Sequence, residues 1–379
     1  MHVSICDARV TRSFGLAVIL LLATTSRLDA TTEPELTRSV RLVFAGVPAA
    51  AAGDVNADGL ATAADVSGTV LDMRNPTQRG PFGVGTQRMT FTKESVTRPG
   101  VVRPLDTYIW YPADAATASL DTYPRGRLNA PLPEGLGNLP LVMFSHGSCG
   151  IPTQSFFLVT TLASYGFVVA APPHPGNTTA DFTICNTPAQ VADSRENRPA
   201  DIRHVIDQFL TLNDDESSFF FGAIDAGRIG MTGHSFGGYT ALRVCAADDR
   251  VVAGLPLAPA FFGIEDETAS IDIPMMLQGG TLDSLTPFNL TAKPAYDLLG
   301  PPRYLVEIAD TGHYAFSDLC VTSSECGVPG VLTQEEAHWA SLRYAVPFLL
   351  HYVAGDNRFD AFLTPPSTPP GITLTSDVG

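Results

Sequence analysis

Gly233-His234-Ser235-Phe236-Gly237 is the stretch that decides the fold. Arg228 to Thr232, just before it, has the pattern of a short strand, and Gly238 to Val244 has that of a helix. A serine on such a sharp strand-to-helix turn projects its hydroxyl above the sheet, and the flanking glycines let neighbouring backbone approach closely. The stretch therefore predicts Ser235 as a nucleophile, although a glycine-rich turn at a helix start would give the same pattern.

Two partners that a nucleophilic serine needs follow it in the chain. Ile273 to Gln278 is an apolar run typical of a buried parallel strand, and Asp283 lies in the loop after it. A second such run, Tyr304 to Ile308, leads into His313. Loops that follow parallel strands meet at one edge of a sheet, so we expect Asp283 and His313 to lie beside Ser235. There the histidine would be the general base, and the aspartate would orient its ring.

Other residues compete for these two roles. Asp310 precedes His313 by three residues, and we interpret it as a turn residue. The strand expected after the nucleophile helix lies within Val251 to Phe262, which contains no carboxylate. Three further histidines are interpreted as structural hydrogen-bonding residues: His146, His174 and His234.

An acyl-transfer site also needs backbone N–H groups aimed at the developing oxyanion. One is the amide of Phe236, directly after the nucleophile. The other is expected in the loop after the apolar run Leu141 to Phe144, where we assign the amide of Ser148. Catalysis of this kind needs no cofactor, and the cysteines and histidines have no metal-ligand spacing.

Apolar runs typical of strands alternate with helical stretches through most of the chain. This alternation predicts an α/β fold with a mostly parallel sheet and helices on both faces. We expect four parts: a signal peptide over residues 1–30, a linker with a small calcium-loop segment over 31–80, the catalytic domain over 81–363 and a Pro/Thr-rich tail over 364–379.

Several motifs resemble the platelet-activating-factor acetylhydrolase group of α/β-hydrolases. They are Phe144-Ser145-His146-Gly147, Gly233-His234-Ser235-Phe236-Gly237-Gly238 and Gly312-His313, with further similarity in Trp110-Tyr111-Pro112 and in Arg198-Pro199-Ala200-Asp201 before a helix. The resemblance spans roughly residues 81 to 363. It implies the α/β-hydrolase fold and a calcium-independent serine esterase that acts on short or accessible acyl groups.

Dienelactone-hydrolase-like and polyester-cleaving secreted esterases resemble the chain more distantly. The acetylhydrolases carry their catalytic acid after the earlier strand, where this chain has Leu257-Ala258-Pro259. The position of Asp283 is more like that of the dienelactone-type and polyester-cleaving branches.

A second motif, upstream, has the spacing of an EF-hand calcium loop. Its six ligands would be Asp54, Asn56, Asp58, the carbonyl of Leu60, Thr62 and Asp65. The segment resembles one repeat of a dockerin, the paired calcium-binding module that attaches secreted enzymes to cohesin partners. Only one repeat is visible, so a structural calcium, a cohesin-like partner and a loop without metal are the alternatives.

The first thirty residues indicate export. Arg9 and Arg12 supply a positive end, Phe14 to Ala23 an apolar run, and Ala30 a small residue for cleavage. An uncleaved anchor is the alternative. We expect a secreted or periplasmic protein without stable membrane insertion after signal cleavage.

The cysteine positions fit an oxidising compartment. Cys320 and Cys326 are close enough in the sequence to form a disulfide, and Cys149 and Cys185 are a second candidate pair, although the sequence does not fix the connectivity. Cys245 would then be a small buried residue on the nucleophile helix. Five unpaired thiols would be expected if the chain stayed in the cytosol.

The 379 residues are 45% hydrophobic and carry a net charge of −16, which argues against nucleic-acid partners and anionic membrane surfaces. The motifs together predict a secreted serine carboxylic-ester hydrolase acting on a small ester, lipid ester or polyester. The alternatives are a phospholipase-like acetylhydrolase, a cutinase-like polyester hydrolase and, of another class, a calcium-dependent binding protein with an inactive hydrolase domain. Four aromatic residues are candidates for the pocket walls or for ordinary core: Phe156, Phe157, Phe261 and Phe262.

Overall fold

The computed structural model of the chain describes residues 76–114, 123–320 and 325–379. Within these residues one sheet contains ten strands. They are β1 (Gly83–Glu94), β2 (Val102–Ala113), β3 (Arg127–Leu128), β4 (Leu139–Ser145), β5 (Val168–Ala171), β6 (Ile224–His234), β7 (Val251–Leu257), β8 (Met275–Gly280), β9 (Arg303–Ile308) and β10 (Ile372–Asp377). Their spatial order is β10-β9-β8-β7-β6-β4-β5-β2-β1-β3.

The centre of the sheet is parallel, as the sequence predicts. The strands from β5 through β4, β6, β7 and β8 to β9 pair in parallel. Antiparallel pairing occurs where β2 meets β1 and β5, and where β10 meets β9. Because the central strands are parallel, the loops that follow β4, β6, β8 and β9 all leave the sheet at the same edge.

Within the same described residues, six α-helices pack around this sheet. They are α1 (Phe156–Ser164), α2 (Pro188–Asp214), α3 (Phe236–Ala247), α4 (Glu265–Ala269), α5 (Ala292–Leu298) and α6 (Gln334–Leu349). A π-helical turn, Leu350–Ala354, continues α6, and short 3₁₀ turns are Tyr123–Arg125, Thr179–Asp181, Phe288–Leu290, His313–Phe316 and Asp360–Phe362.

Helices cover both faces of the sheet. Along β4, Val142 and Phe144 belong to the buried cluster that includes the apolar side chains of α1 and α6. Leu141 and Met143, which point to the opposite face, belong to the cluster that includes those of α2, α3 and α5. The predicted α/β-hydrolase fold, with helices on both faces, is confirmed.

The motif Arg198-Pro199-Ala200-Asp201 does not precede a helix but lies inside α2. A proline inside a helix removes the N–H that would bond to the carbonyl four residues earlier, here that of Arg195. The guanidinium of Arg243 donates to this carbonyl at 2.6 Å. The freed carbonyl is therefore satisfied by a side chain from α3, which local sequence reasoning does not reveal.

The C-terminal strand β10 lies within the segment expected to be a Pro/Thr-rich tail. It pairs antiparallel with β9, with Ile372 opposite Ile308 and Asp377 opposite Arg303. The N–H of Ala309 also donates to the carbonyl of Gly371 at 2.7 Å. Part of the expected tail therefore belongs to the sheet, at its edge.

The expected signal peptide and the calcium loop, with Asp54, Asn56, Asp58, Leu60, Thr62 and Asp65, lie outside the described residues and stay predictions. Among the residues that the structure describes, no helix has both the length and the apolar character required to cross a bilayer. The same residues contain no group of three His, Cys, Asp or Glu side chains arranged to hold a metal ion.

The structure contains both disulfides that the sequence offers as candidates, Cys149–Cys185 and Cys320–Cys326. Cys245 is free and buried on α3, as expected. The first disulfide joins the loop after β4 to the segment before α2, and the second lies shortly after the loop that follows β9. Each therefore restrains chain close to a predicted catalytic residue.

A buried ion pair joins β2 to α2. Arg103 donates to both carboxylate oxygens of Asp201, at 2.9 and 2.6 Å, and both side chains are almost completely buried. In contrast, the ion pair of Arg88 with Asp106, between β1 and β2, is largely exposed to solvent. The two pairs differ mainly in their access to water.

We expect Arg103→Gln to lower the free energy of unfolding by about 3–5 kcal/mol, because Asp201 would remain a buried charge without its main partner. Arg88→Gln should cost less than about 1 kcal/mol, because water replaces an exposed partner. Urea unfolding followed by circular dichroism measures both values. Equal losses in the two variants would contradict this interpretation.

Candidate active site

Ser235 occupies the sharp turn between β6 and α3. Its backbone has φ 59° and ψ −118°, a left-handed conformation that is uncommon for a residue with a side chain. A Cβ at Gly237 would lie 1.8 Å from the carbonyl oxygen of Ser145, and one at Gly233 would lie 2.4 Å from the carbonyl oxygen of Gly237. Both glycines are therefore required by the close approach of backbone at this turn, as the sequence predicts.

Asp283 and His313 form a direct hydrogen bond. The Oδ2 atom of Asp283, in the loop after β8, lies 2.8 Å from Nδ1 of His313, in the loop after β9. The backbone N–H groups of Leu285 and Thr286 donate to Oδ1 at 2.9 and 2.7 Å. Burial raises the pKa of Asp283, but the contacts with His313 and Thr286 outweigh it, so the pKa lies below its ordinary value. Asp283 is therefore ionised at neutral pH.

Thr286 is a further member of this site that the sequence patterns above did not predict. Its hydroxyl lies 2.8 Å from Oδ2 of Asp283, 3.0 Å from the carbonyl of Ala258 and 3.0 Å from Nδ1 of His313. The Asp283-x-x-Thr286 spacing is a side-chain turn, in which an aspartate accepts hydrogen bonds from residues two and three further on. This local signal could have indicated Thr286.

Ser235 and His313 both line one pocket of about 470 Å³. Because Nδ1 of His313 faces Asp283, its Nε2 is the nitrogen left to act on a substrate or nucleophile. Asp310, the competing acid, is exposed and is not among the residues that line this pocket. The structure thus brings the three predicted residues into one site and leaves Asp310 outside it.

The two residues assigned as oxyanion donors, Ser148 and Phe236, also line the pocket. Phe236 is the first residue of α3, so its N–H has no acceptor within the helix. Ser148 follows β4 and precedes Cys149, which has a positive φ of 53° and forms the disulfide with Cys185. This loop conformation is therefore restrained next to Ser148.

A fully buried guanidinium lies beneath these two loops. Arg198 lies 3.1 Å from the hydroxyl of Ser145, donates to the carbonyl of His146, and lies 4.7 Å from the ring centre of Phe236. Burial lowers the pKa of Arg198 to about 9, so the side chain is still charged at neutral pH. The charge compensates carbonyl and hydroxyl oxygens at the end of β4, where the loop with Ser148 begins.

His146 and His174 lie in this buried layer and not among the residues that line the pocket. Burial, and then the positive charge of Arg198, lower the pKa of both histidines. Nε2 of His174 lies 2.9 Å from the Ser145 hydroxyl, and Nε2 of His146 accepts from the N–H of His174. Both contacts support the interpretation of these histidines as structural hydrogen-bonding residues.

The rim of the pocket is apolar and open to solvent. Phe182, Leu285 and Phe262 line it with exposed fractions of 74%, 60% and 40%. Of the four aromatic candidates for pocket walls, Phe262 alone lines the pocket. Phe156 packs against Trp110, Phe157 stacks on His338, and Phe261 packs against the core around α2 and α3.

Comparisons with known proteins agree with this fold. The sequence profile of the PET hydrolase-like family matches residues 113–377. A cutinase of Thermobifida alba is 27% identical over 239 residues, which are 62% of this chain and 66% of that protein, slightly less than two thirds of its length. A bis(hydroxyethyl) terephthalate hydrolase of Streptomyces coelicolor is 25% identical over 258 residues, 67% of this chain and 70% of that protein.

We expect Asp283→Asn to lower kcat for nitrophenyl acetate by about 10⁴-fold at neutral pH, because an amide in place of the carboxylate favours the wrong tautomer of His313. Asp310→Asn is the matched control and should stay within about twofold of the wild type, since its side chain is exposed. Steady-state kinetics of both variants at pH 7 provide the measurement. Comparable losses in the two variants would assign the acid role to Asp310 as well.

Proposed function

Because the chain belongs to the PET hydrolase-like family of α/β-hydrolases, we propose that it is a secreted serine carboxylic-ester hydrolase with Ser235, His313 and Asp283 as its catalytic residues. The observation that carries the proposal is the bond between Asp283 and His313 beside a pocket that Ser235 also lines. A buried, ionised aspartate that orients a histidine beside a strained serine is the arrangement that acyl transfer requires.

In the proposed reaction, Oγ of Ser235 attacks the ester carbonyl while Nε2 of His313 takes its proton. Asp283 stabilises the imidazolium that forms. The backbone N–H groups of Phe236 and Ser148 would hold the oxyanion, each contributing about 3–4 kcal/mol to the transition state. His313 then gives the proton to the leaving alcohol. A water molecule, activated by the same histidine, attacks the acyl-enzyme and releases the acid and Ser235. These steps use no cofactor.

The pocket rim supports accessible esters with aromatic or polymeric groups as substrates. The guanidinium of Arg195 lies 5.3 Å from the ring centre of Phe262, and the ring of Tyr239 stacks on Phe262 with a distance of 5.0 Å between the ring centres. A ring held in this way can stack on an aryl group with little loss of conformational freedom. The names of the relatives, cutinase and bis(hydroxyethyl) terephthalate hydrolase, indicate polymeric and aromatic ester substrates for those proteins. We therefore propose a polyester segment as a substrate class for this chain.

The proposed cellular location and the proposed calcium site are argued mainly from the sequence. The two disulfides and the expected signal peptide support a secreted or periplasmic protein. A structural calcium at Asp54 to Asp65 and a cohesin-like partner are proposals from the motif alone, and neither takes part in the proposed reaction. A phospholipase-like acetylhydrolase activity on aggregated lipid is the second candidate within ester hydrolysis, carried by the motif resemblance.

We expect the wild type to hydrolyse nitrophenyl esters with a rate that falls from acetate to long-chain acyl groups, and to release soluble acid from bis(hydroxyethyl) terephthalate and from a polyester film. Ser235→Ala should lose at least about 10⁴-fold in kcat, because the nucleophile is absent. Faster hydrolysis of dispersed phospholipid than of these esters would favour the lipid activity. Equal activity of Ser235→Ala and wild type would refute the assignment.

A second expectation concerns the rim. Phe262→Ala should raise KM for nitrophenyl benzoate by about tenfold, equivalent to about 1.4 kcal/mol of stacking and apolar contact, with a smaller effect on ethyl acetate. Phe221→Ala removes an exposed phenylalanine that does not line the pocket, so it serves as the control. Initial-rate measurements over a range of substrate concentrations give both constants. An equal KM for the aryl ester in the two variants would exclude Phe262 from substrate binding.

A further inference from the structure

Gln154 is a buried amide between the oxyanion loop and the histidine that precedes the nucleophile. Its Oε1 accepts a hydrogen bond from the N–H of Gly147 at 2.9 Å, and its Nε2 lies 2.8 Å from Nδ1 of His234. A side-chain amide has one end that accepts and one that only donates. Because the N–H of Gly147 selects the accepting end, the end that faces His234 is the donating NH₂ group.

The ring of His234 can satisfy its two neighbours with one tautomer. Nδ1 accepts from Gln154, so the proton lies on Nε2, and this N–H donates to the backbone carbonyl of His313 at 2.9 Å. Burial lowers the pKa of His234 to about 3, and the neighbouring His313 acts in the same direction. The ring is therefore neutral at neutral pH and carries one proton.

The backbone around Gln154 is also tied to the histidine segment. The carbonyl of Gln154 accepts from the N–H of Asp318 at 2.7 Å, and the hydroxyl of Ser155 donates to the carbonyl of Phe316 at 2.9 Å. A Cβ at Gly150 would lie 2.6 Å from Oε1 of Gln154, so the glycine leaves the space through which the amide reaches the oxyanion loop. Gln154 is thus bonded both to the loop after β4, through its side chain, and to the segment after His313, through its backbone carbonyl.

We propose that Gln154 and His234 are positioning residues that fix the oxyanion loop relative to the catalytic histidine. The path runs from the N–H of Gly147 through the Gln154 amide and the His234 ring to the carbonyl of His313. Ser148, a proposed oxyanion donor, is the residue after Gly147, and His313 is the proposed base, so this proposal rests on the esterase function above. Neither Gln154 nor His234 takes part in the bond changes of that reaction.

Loss of this path should lower kcat with little change in KM, because the oxyanion loop and the loop of His313 must be correctly placed relative to each other in the transition state. A misplacement of about 1 Å can cost about 10²-fold in rate. Gln154→Met keeps the shape of the side chain and removes its donor and its strong acceptor. We expect this variant to lose about 10-fold to 100-fold in kcat for nitrophenyl acetate, with KM within about twofold of the wild type.

Gln278→Met is the matched control. Gln278 is also fully buried, and its amide bonds both to the hydroxyl and to the carbonyl of Ser341 on α6. It should keep kcat within about threefold of the wild type, even where its melting temperature falls as much as that of Gln154→Met. A kcat loss that follows melting temperature in both variants would show a merely structural role for Gln154 and overturn the proposal.

A double-mutant cycle tests whether the two residues act along one path. His234→Phe keeps a ring and removes both nitrogens. If Gln154 acts through His234, the double variant Gln154→Met/His234→Phe should be no slower than the slower single variant. Fully multiplied losses would separate the two residues and overturn the path.

The tautomer can be measured without any activity. Long-range ¹H–¹⁵N correlation spectra of the wild type at pH 7 should show His234 protonated on Nε2 and unprotonated on Nδ1. Protonation on Nδ1, or on both nitrogens, would overturn the proposal. An inactive wild type would instead refute the esterase function, so the two failures are distinguishable.

Discussion

The close approach of two backbone segments at Gly237 is the constraint on which the site depends. The first turn of α3 passes so near the end of β4 that the carbonyl of Ser145 lies where any side chain at position 237 would be. This contact brings the first turn of α3 against the end of β4, directly after Ser235, which has a φ of 59°. It also places the loop after β4 beside the N-terminus of α3, where Ser148 and Phe236 line the same pocket.

The chain supports this crowded arrangement with buried polar groups instead of apolar packing alone. Arg198 lies beneath the end of β4, and Asp201, one helical turn further along α2, bonds to Arg103 on β2. Buried charges of this kind cost desolvation energy and are stable only when they are paired and hydrogen-bonded. The contacts of Arg198 hold the end of β4 and the start of the loop with Ser148, and the Cys149–Cys185 disulfide restrains the same loop.

The sequence predicts those features that depend on local pattern or on chain order. The parallel strands, the turn at Ser235 and the loops that carry Asp283 and His313 follow from apolar runs and glycine spacing. Other features depend on contacts between distant segments, which no local pattern encodes. Pro199 is tolerated inside α2 because Arg243, on α3, donates a hydrogen bond to the carbonyl that the proline leaves free. Gln154 has no sequence signal of its own, and only its contact with the loop after β4 singles it out. The sequence patterns did not predict β1, because the second half of this strand mixes buried and exposed residues. They did not predict β10, because the prolines before it suggest an extended tail.

The C-terminal strand has a consequence for how this chain can be shortened. The sequence predicts a Pro/Thr-rich tail over residues 364–379, yet β10 covers the outer edge of β9, the strand that leads into the loop of His313. Removing it would leave a row of unpaired N–H and C=O groups along β9, and such an edge is a template for pairing with a second molecule. A fragment cut at residue 363 would therefore be prone to self-association through the strand that leads into the loop of His313.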